Sequence, residues 1–224
     1  MCDEPLNSDD PKVKDIEEQV VILEEWLSAI EQSTAAESND KWLVISLLKS
    51  TQRTYRHLRN GWPSDSTYTA WACRNILELR IFTKYITRSL ADRERFMADL
   101  TVDASGSAAA LTKLIYSNFP KSNSVDEDIS HLSEAVKALN DKLNFEGKNY
   151  LSAMDLAKKM RFGEEFGALH TICSKLVHPT AQSILSIDLE DQHQRDALFV
   201  LGGGYLIDLM NDLAPFIQLL NMTG

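Results

Sequence analysis

Arg74, Asn75 and Glu78 lie within about one helical turn of one another, on a stretch that also carries Trp71, Phe82 and Tyr85. Residues four apart share a helix face, so Arg74 and Glu78 can pair. Among aromatic neighbours the pair is expected in a cleft or in a buried polar network, where each charge must be well satisfied. A second set comes later: His170, Ser174 and His178, at successive spacings of four, with Cys173 alongside. A histidine beside a carboxylate can exchange a proton near neutral pH. The same histidine at a helix end can instead bond the last free carbonyls. Arg74, Glu78 and His178 therefore form the candidate catalytic set, and Asn75, Tyr85, His170 and Ser174 are candidate ligand contacts. Arg53, Arg56 and Arg59, beside Tyr55 and His57, form a candidate anion site, with cations for phosphates and rings for base stacking.

The charge distribution bears on that third group. The chain of 224 residues carries a formal net charge of −10, which argues against a generic nucleic-acid coat or a cationic membrane binder. Residues 1–48 hold 3 basic and 12 acidic side chains, residues 49–95 hold 10 and 4, and residues 96–224 hold 10 and 17. The acidity belongs to the flanks, and a segment of net +6 surrounds the helix that bears Arg74. Two readings compete. Either the basic segment meets RNA or another anionic ligand, or the acidic first helix packs against it and the charges answer one another.

These side chains must be positioned by helices. Asp10 and Pro11 announce a first helix, with Ile16, Val20, Leu23, Leu27 and Ile30 as its apolar stripe. A second helix starts near Asn39 and is expected to stop at Asn60-Gly61, with Gly61 as a left-handed cap. From Ser66, two stripes run along the third helix: Ala72, Ile76, Leu79, Thr83 and Ile86, and Trp71, Asn75, Glu78, Phe82 and Tyr85. A helix apolar on two sides belongs at the centre of a bundle. Short helices are expected over 91–100 and 104–119. Next comes a helix with Ile129, Leu132, Val136, Leu139 and Leu143, then one from Ser152 through Arg161. A helix carrying Phe166, Leu169, Cys173 and Leu176 ends at His178-Pro179. The last runs from about Asp191 to Asn221, with Gly202-Gly203-Gly204 as an interruption, read as close packing or a hinge, and a kink at Pro215. The expected fold is all-α: a flexible acidic N-terminus over 1–10, then a single bundle of five to eight helices over 11–224.

Several function classes find no support. The N-terminal residues have no apolar core of a secretory signal. The longest strongly apolar stretch, Ala197 to Ile207, stops at Asp208, short of the roughly 18 residues that span a bilayer. Three widely spaced cysteines with no paired Cys motif suit reduced thiols, and neither a metal site nor a cofactor loop is indicated. A cytoplasmic protein without cofactor or metal is the expectation.

The segments Ala72-Cys73-Arg74-Asn75-Ile76-Leu77-Glu78 and Cys173-Ser174-Lys175-Leu176-Val177-His178-Pro179-Thr180 resemble uncharacterised bacterial helical families. Those families are similar to the HEPN superfamily (higher eukaryote and prokaryote nucleotide-binding). The resemblance implies toxin, abortive-infection or RNA-processing modules, whose active members are metal-independent ribonucleases that work as dimers. Their signature has a His five to seven positions after an Arg and a polar residue. Here Leu79, Arg80 and Ile81 occupy those positions after Arg74-Asn75. The signature is incomplete, so the resemblance implies an interaction module in bacterial defence or a toxin–antitoxin pair, with a protein partner or a second copy. Two alternatives stand beside it: a ribonuclease using Arg74, Glu78 and His178, and a small-ligand sensor with a pocket lined by Trp71, Tyr85 and Cys173.

Overall fold

A computed structural model describes residues 5–33, 38–118, 123–143, 152–177 and 192–222. These residues form eight α-helices and no strand: α1 (Pro11–Gln32), α2 (Asn39–Gly61), α3 (Ser66–Ile86), α4 (Leu90–Asn118), α5 (Asn123–Leu143), α6 (Ala153–Lys159), α7 (Gly163–Val177) and α8 (Gln192–Met222). The all-α expectation holds. Where the sequence reads as one domain over 11–224, contacts gather the chain into two compact units, Met1–Thr87 with Ala153–Gly224, and Arg88–Ser152.

In the first unit α3 is the central helix, touching α2, α6, α7 and α8. Its interior face carries Ala70, Ala72, Cys73, Ile76, Leu77 and Ile81. The second sequence stripe is only partly inside: Tyr85 is buried, whereas Asn75, Glu78 and Phe82 are half-buried and Trp71 is exposed. The small residues Ala70 and Cys73, not the large aromatics, turn that side of α3 toward α7. Of the α1 stripe, Ile16, Leu23, Leu27 and Ile30 are buried as expected, whereas Val20 is half-buried and Val13 joins the core in its place; Asp10 accepts the Lys12 amide as N-cap.

α8 is the partner that closes this core. It is apolar and long enough to cross a bilayer by length and composition, but half of that window is buried inside the protein. It is a core helix, with Phe199, Leu206, Leu209, Met210 and Leu213 almost wholly enclosed. The three glycines do not interrupt it, and Pro215 lies within it. A Cβ on Gly203 would stand 2.2 Å from Ile16 Cδ1 of α1, and one on Gly202 would stand 2.8 Å from Leu58 Cδ2 of α2 and 3.4 Å from the Cys73 Cα of α3. The glycines serve close approach of three neighbours; a Cβ on Gly204 would meet nothing within 4 Å.

Other boundaries also differ from the sequence reading. Gly61 is not left-handed: among the described residues no glycine has positive φ. Its lack of a side chain gives room, since a Cβ would lie 2.9 Å from the Thr69 amide nitrogen, and Pro63 then stops α2. α6 ends at Lys159, before Arg161, which takes φ 68°. The Phe162 amide reaches the Ala157 carbonyl at 2.7 Å and the Arg161 amide the Lys158 carbonyl at 3.2 Å, a Schellman closure with arginine in the glycine position.

The second unit is an α4–α5 hairpin. α4 is one helix, not two. Ser105, Gly106 and Ser107 cost it only about 0.5–1 kcal/mol each relative to alanine, too little to break a helix without proline. Its N-terminus is set by Ser89, whose hydroxyl accepts the Asp92 amide and donates to the Asp92 carboxylate. The described side chains of α4 are buried only at Asp92, Met97, Ala98 and Asp99; from Val102 through Ser117 none is, and none is on α5.

Gly203→Ala is expected to destabilise the protein by about 1–3 kcal/mol through overpacking against Ile16, an effect partly relieved by Ile16→Val. Gly204→Ala is expected to be neutral or to stabilise by up to about 1 kcal/mol. Urea unfolding of the variants reads both; equal effects at the two sites would contradict the close approach.

Candidate functional site

The partly exposed edge of α3 gathers most of the residues singled out above. Its N-cap, Asp65, accepts the Tyr68 amide at 2.8 Å. Three residues on, Trp71 stacks on Tyr68 with ring centroids 6.0 Å apart and planes within 5°. His57 of α2 meets both rings edge-on, at 5.1 and 5.3 Å, and its Nδ1 is in hydrogen-bond contact with the Tyr68 hydroxyl. One turn further along α3, Arg74 sends two N–H donors to Glu78 Oε1, at 3.1 and 2.9 Å. The pair is 32% and 21% exposed, at a rim and not inside a sealed network. A single half-exposed pair of this kind contributes at most about 1 kcal/mol.

α7 runs antiparallel to this edge. Thr67 near the start of α3 donates to the Leu176 carbonyl at 3.1 Å, and the Cys173 thiol donates to the Ala70 carbonyl at 3.2 Å. The last described turn of α7 thus lies beside Thr67, eleven residues and about 16 Å along α3 from Glu78. His170 and Ser174 are half-buried, His170 with its ring 6.0 Å from that of Phe166. His178, the third member of the candidate catalytic set, lies outside the described residues. Trp71, Tyr85 and Cys173 do not line one pocket. Trp71 and Tyr85 are fourteen residues apart, about 21 Å of helix rise. Trp71 is exposed while Tyr85 is buried beneath the Lys159 ammonium, 4.6 Å from its ring.

The thiols are packing groups. Cys73 and Cys173 are both buried and unoxidised. Burial raises both, Cys73 well beyond its ordinary range and Cys173 from 9.0 to about 11, the Arg74 charge acting in the opposite direction on the latter. Neither is a nucleophile at neutral pH.

The basic segment is largely answered from within. Glu17, Glu24 and Glu31 recur every seven residues along α1 and face α2, which runs the other way. Glu17 takes Arg59 at 2.7 Å, Glu24 takes Gln52 at 2.8 Å and Arg56 at 3.8 Å, and Glu31 takes Lys49 at 2.7 Å. With Arg74 on Glu78, Arg80 on Asp208 and Arg88 on Asp92, six of the ten cations over 49–95 hold an internal carboxylate. Of the candidate anion site only Arg53 is exposed and without an ion pair among the described residues.

Two clusters escaped the sequence reading. Arg80, 15% exposed, holds Asp208 at 2.9 Å with its guanidinium 4.6 Å from the Phe162 ring, while the neighbouring Tyr205 donates to Glu165 at 2.9 Å. Asp196, buried on α8, accepts from the Trp62 indole at 2.6 Å, the Gln192 amide at 2.7 Å and the Leu6 backbone at 2.9 Å. The Leu6 bond ties part of the acidic N-terminal segment to α8. The available signal was modest: a carboxylate at the polar edge of an apolar run, Asp196, and one inside it, Asp208. Among the described residues no three metal-binding side chains converge. Comparison with protein families, with curated proteins and with solved structures finds no match for this chain.

In a Cys2→Ser variant, both remaining thiols should resist a thiol-specific disulfide reagent at pH 8 and react fully once unfolded. Stability should fall as pH rises from about 9 to about 11, because the unfolded chain ionises Cys173 first. Rapid labelling of the native protein at pH 8 would contradict the packing role.

Proposed function

We propose that this chain is a non-catalytic interaction module, a HEPN-like helical bundle that docks a helical partner through the α4–α5 hairpin, with a second copy of the chain as that partner. One observation carries the reading. On α5, Val125, Ile129, Leu132, Val136, Leu139 and Leu143 alternate in spacings of four and three, the repeat of a helix packed along a continuous seam. Of that repeat the described side chains, Ile129 and Val136, are only half-buried, and no described side chain of α4 beyond Asp99 is buried. Leu111 and Leu114 are 46% and 61% exposed. Two helices cannot enclose such a seam, whereas two hairpins make a four-helix bundle, and a twofold pair of identical hairpins is the commonest closed arrangement.

Other features favour binding over catalysis. The buried thiols lack nucleophilic character, and Arg74 is spent on Glu78. Most of the cations that could hold RNA already pair with carboxylates of the same chain. The HEPN resemblance suits this reading to a cytoplasmic role in bacterial defence or in a toxin–antitoxin pair.

Light scattering after size exclusion should give a mass near twice 25.2 kDa for the wild type. The Leu111→Lys/Leu114→Lys double variant should give the monomer mass with its helical circular dichroism retained. A wild type that stays monomeric at high micromolar concentration would remove the second copy as partner. Tight, salt-dependent binding of labelled single-stranded RNA, lost in Arg53→Glu, would replace the reading with an RNA-binding one.

A further inference from the structure

We infer that a pocket between the N-terminal segment and the first turns of α8 is a binding site for a small organic cation with an apolar body. The pocket is a groove open to solvent with a volume of about 570 Å³, within the range that holds small ligands. Leu6, Pro11, Val200 and Leu201 supply apolar wall, and Asp196 supplies its one buried charge. Leu201 leaves 39% of its surface uncovered there.

The ligand class follows from what Asp196 has and what it lacks. Its carboxylate is 7% exposed and accepts from three neutral donors, two on Oδ1 (Trp62 and Gln192) and one on Oδ2 (Leu6). No ion pair reaches it among the described residues. A carboxylate offers about four acceptor directions, so Oδ2 keeps one unfilled. A buried charge held only by neutral groups is costly, and an ammonium is the group that compensates it most fully. The rest of the lining does not reverse the sign. Asp10 and Lys12 offset each other, His193 in its neutral form adds no charge, and Asp10 Oδ1 is already engaged by the Lys12 amide at 2.9 Å. The apolar walls then select the body of the ligand, and the carboxylate selects its charged head.

Benzylammonium, with benzyl alcohol and benzoate as its neutral and anionic counterparts, tests this on the full chain. The readout is the Trp62 indole N–H resonance, since that proton is bonded to Asp196. Benzylammonium should shift it saturably, with at least about tenfold tighter binding than benzyl alcohol, and benzoate should leave it unmoved. Asp196→Asn should lose about tenfold or more in affinity. Because that change also touches three internal hydrogen bonds, Ala197→Phe provides a second variant that fills the pocket and keeps the carboxylate; it should abolish binding. Overturning results are a Trp62 resonance unmoved by millimolar benzylammonium, equal affinity for benzyl alcohol, or undiminished binding in Ala197→Phe.

Discussion

The close approach of α8 to its neighbours is the constraint on which the first unit depends. Gly202 and Gly203 leave no side chain between α8 and Ile16, Leu58 and the α3 backbone at Cys73. That proximity brings Phe199 flat against Trp62, with centroids 4.3 Å apart, and sets Asp196 where the Trp62 indole can reach it. It also places Tyr205 and Asp208 against the guanidinium of Arg80. Each buried apolar side chain along this spine contributes roughly 1.5–3 kcal/mol, but only if the helices can close to that distance.

Electrostatics in the same unit act on arrangement more than on stability. The ladder from α1 to α2 joins largely exposed groups, each pair contributing at most about 1 kcal/mol. Its sevenfold repeat nonetheless matches the two helices in one register, antiparallel, and a shift along α1 would misalign all three carboxylates. The −10 charge of the chain is thus compatible with a strongly basic middle segment, because the acidic flank of α1 meets part of it directly. The buried carboxylate of Asp196 differs in kind, being held by neutral donors alone, and it lines an open groove.

Much of this was legible in the residue pattern. The α1 stripe, the Asp10 cap, the central place of α3 and the mutual answering of α1 and α2 follow from spacing and charge sign. The misreadings share a cause: local signals are ambiguous about what a neighbour needs. Gly61 read as a left-handed cap and Gly202-Gly203-Gly204 as an interruption, yet α2 ends at Gly61 without positive φ and α8 runs through its glycines, the missing side chains making room for Thr69, Ile16 and Leu58. Trp71 read as inward-facing because it falls on the second stripe, while the contact with α7 goes to the small residues Ala70 and Cys73. Asp196 could not be singled out, since its donors come from Leu6, Trp62 and Gln192, as far as 190 residues away. Arg74 and Glu78 were paired correctly, because a spacing of four is a local fact.

The enclosed side chains of α8 contrast with the exposed Leu111 and Leu114 of α4. Native-state hydrogen exchange, followed segment by segment at two protein concentrations, measures that contrast directly. Amides of α8 from Phe199 to Leu213 and of α3 from Ala72 to Ile81 should exchange only through global unfolding, at both concentrations. Amides of α5 should exchange far faster in dilute protein and gain protection as concentration rises and the seam is covered. An α5 as protected as α8 in dilute, monomeric protein would contradict the account.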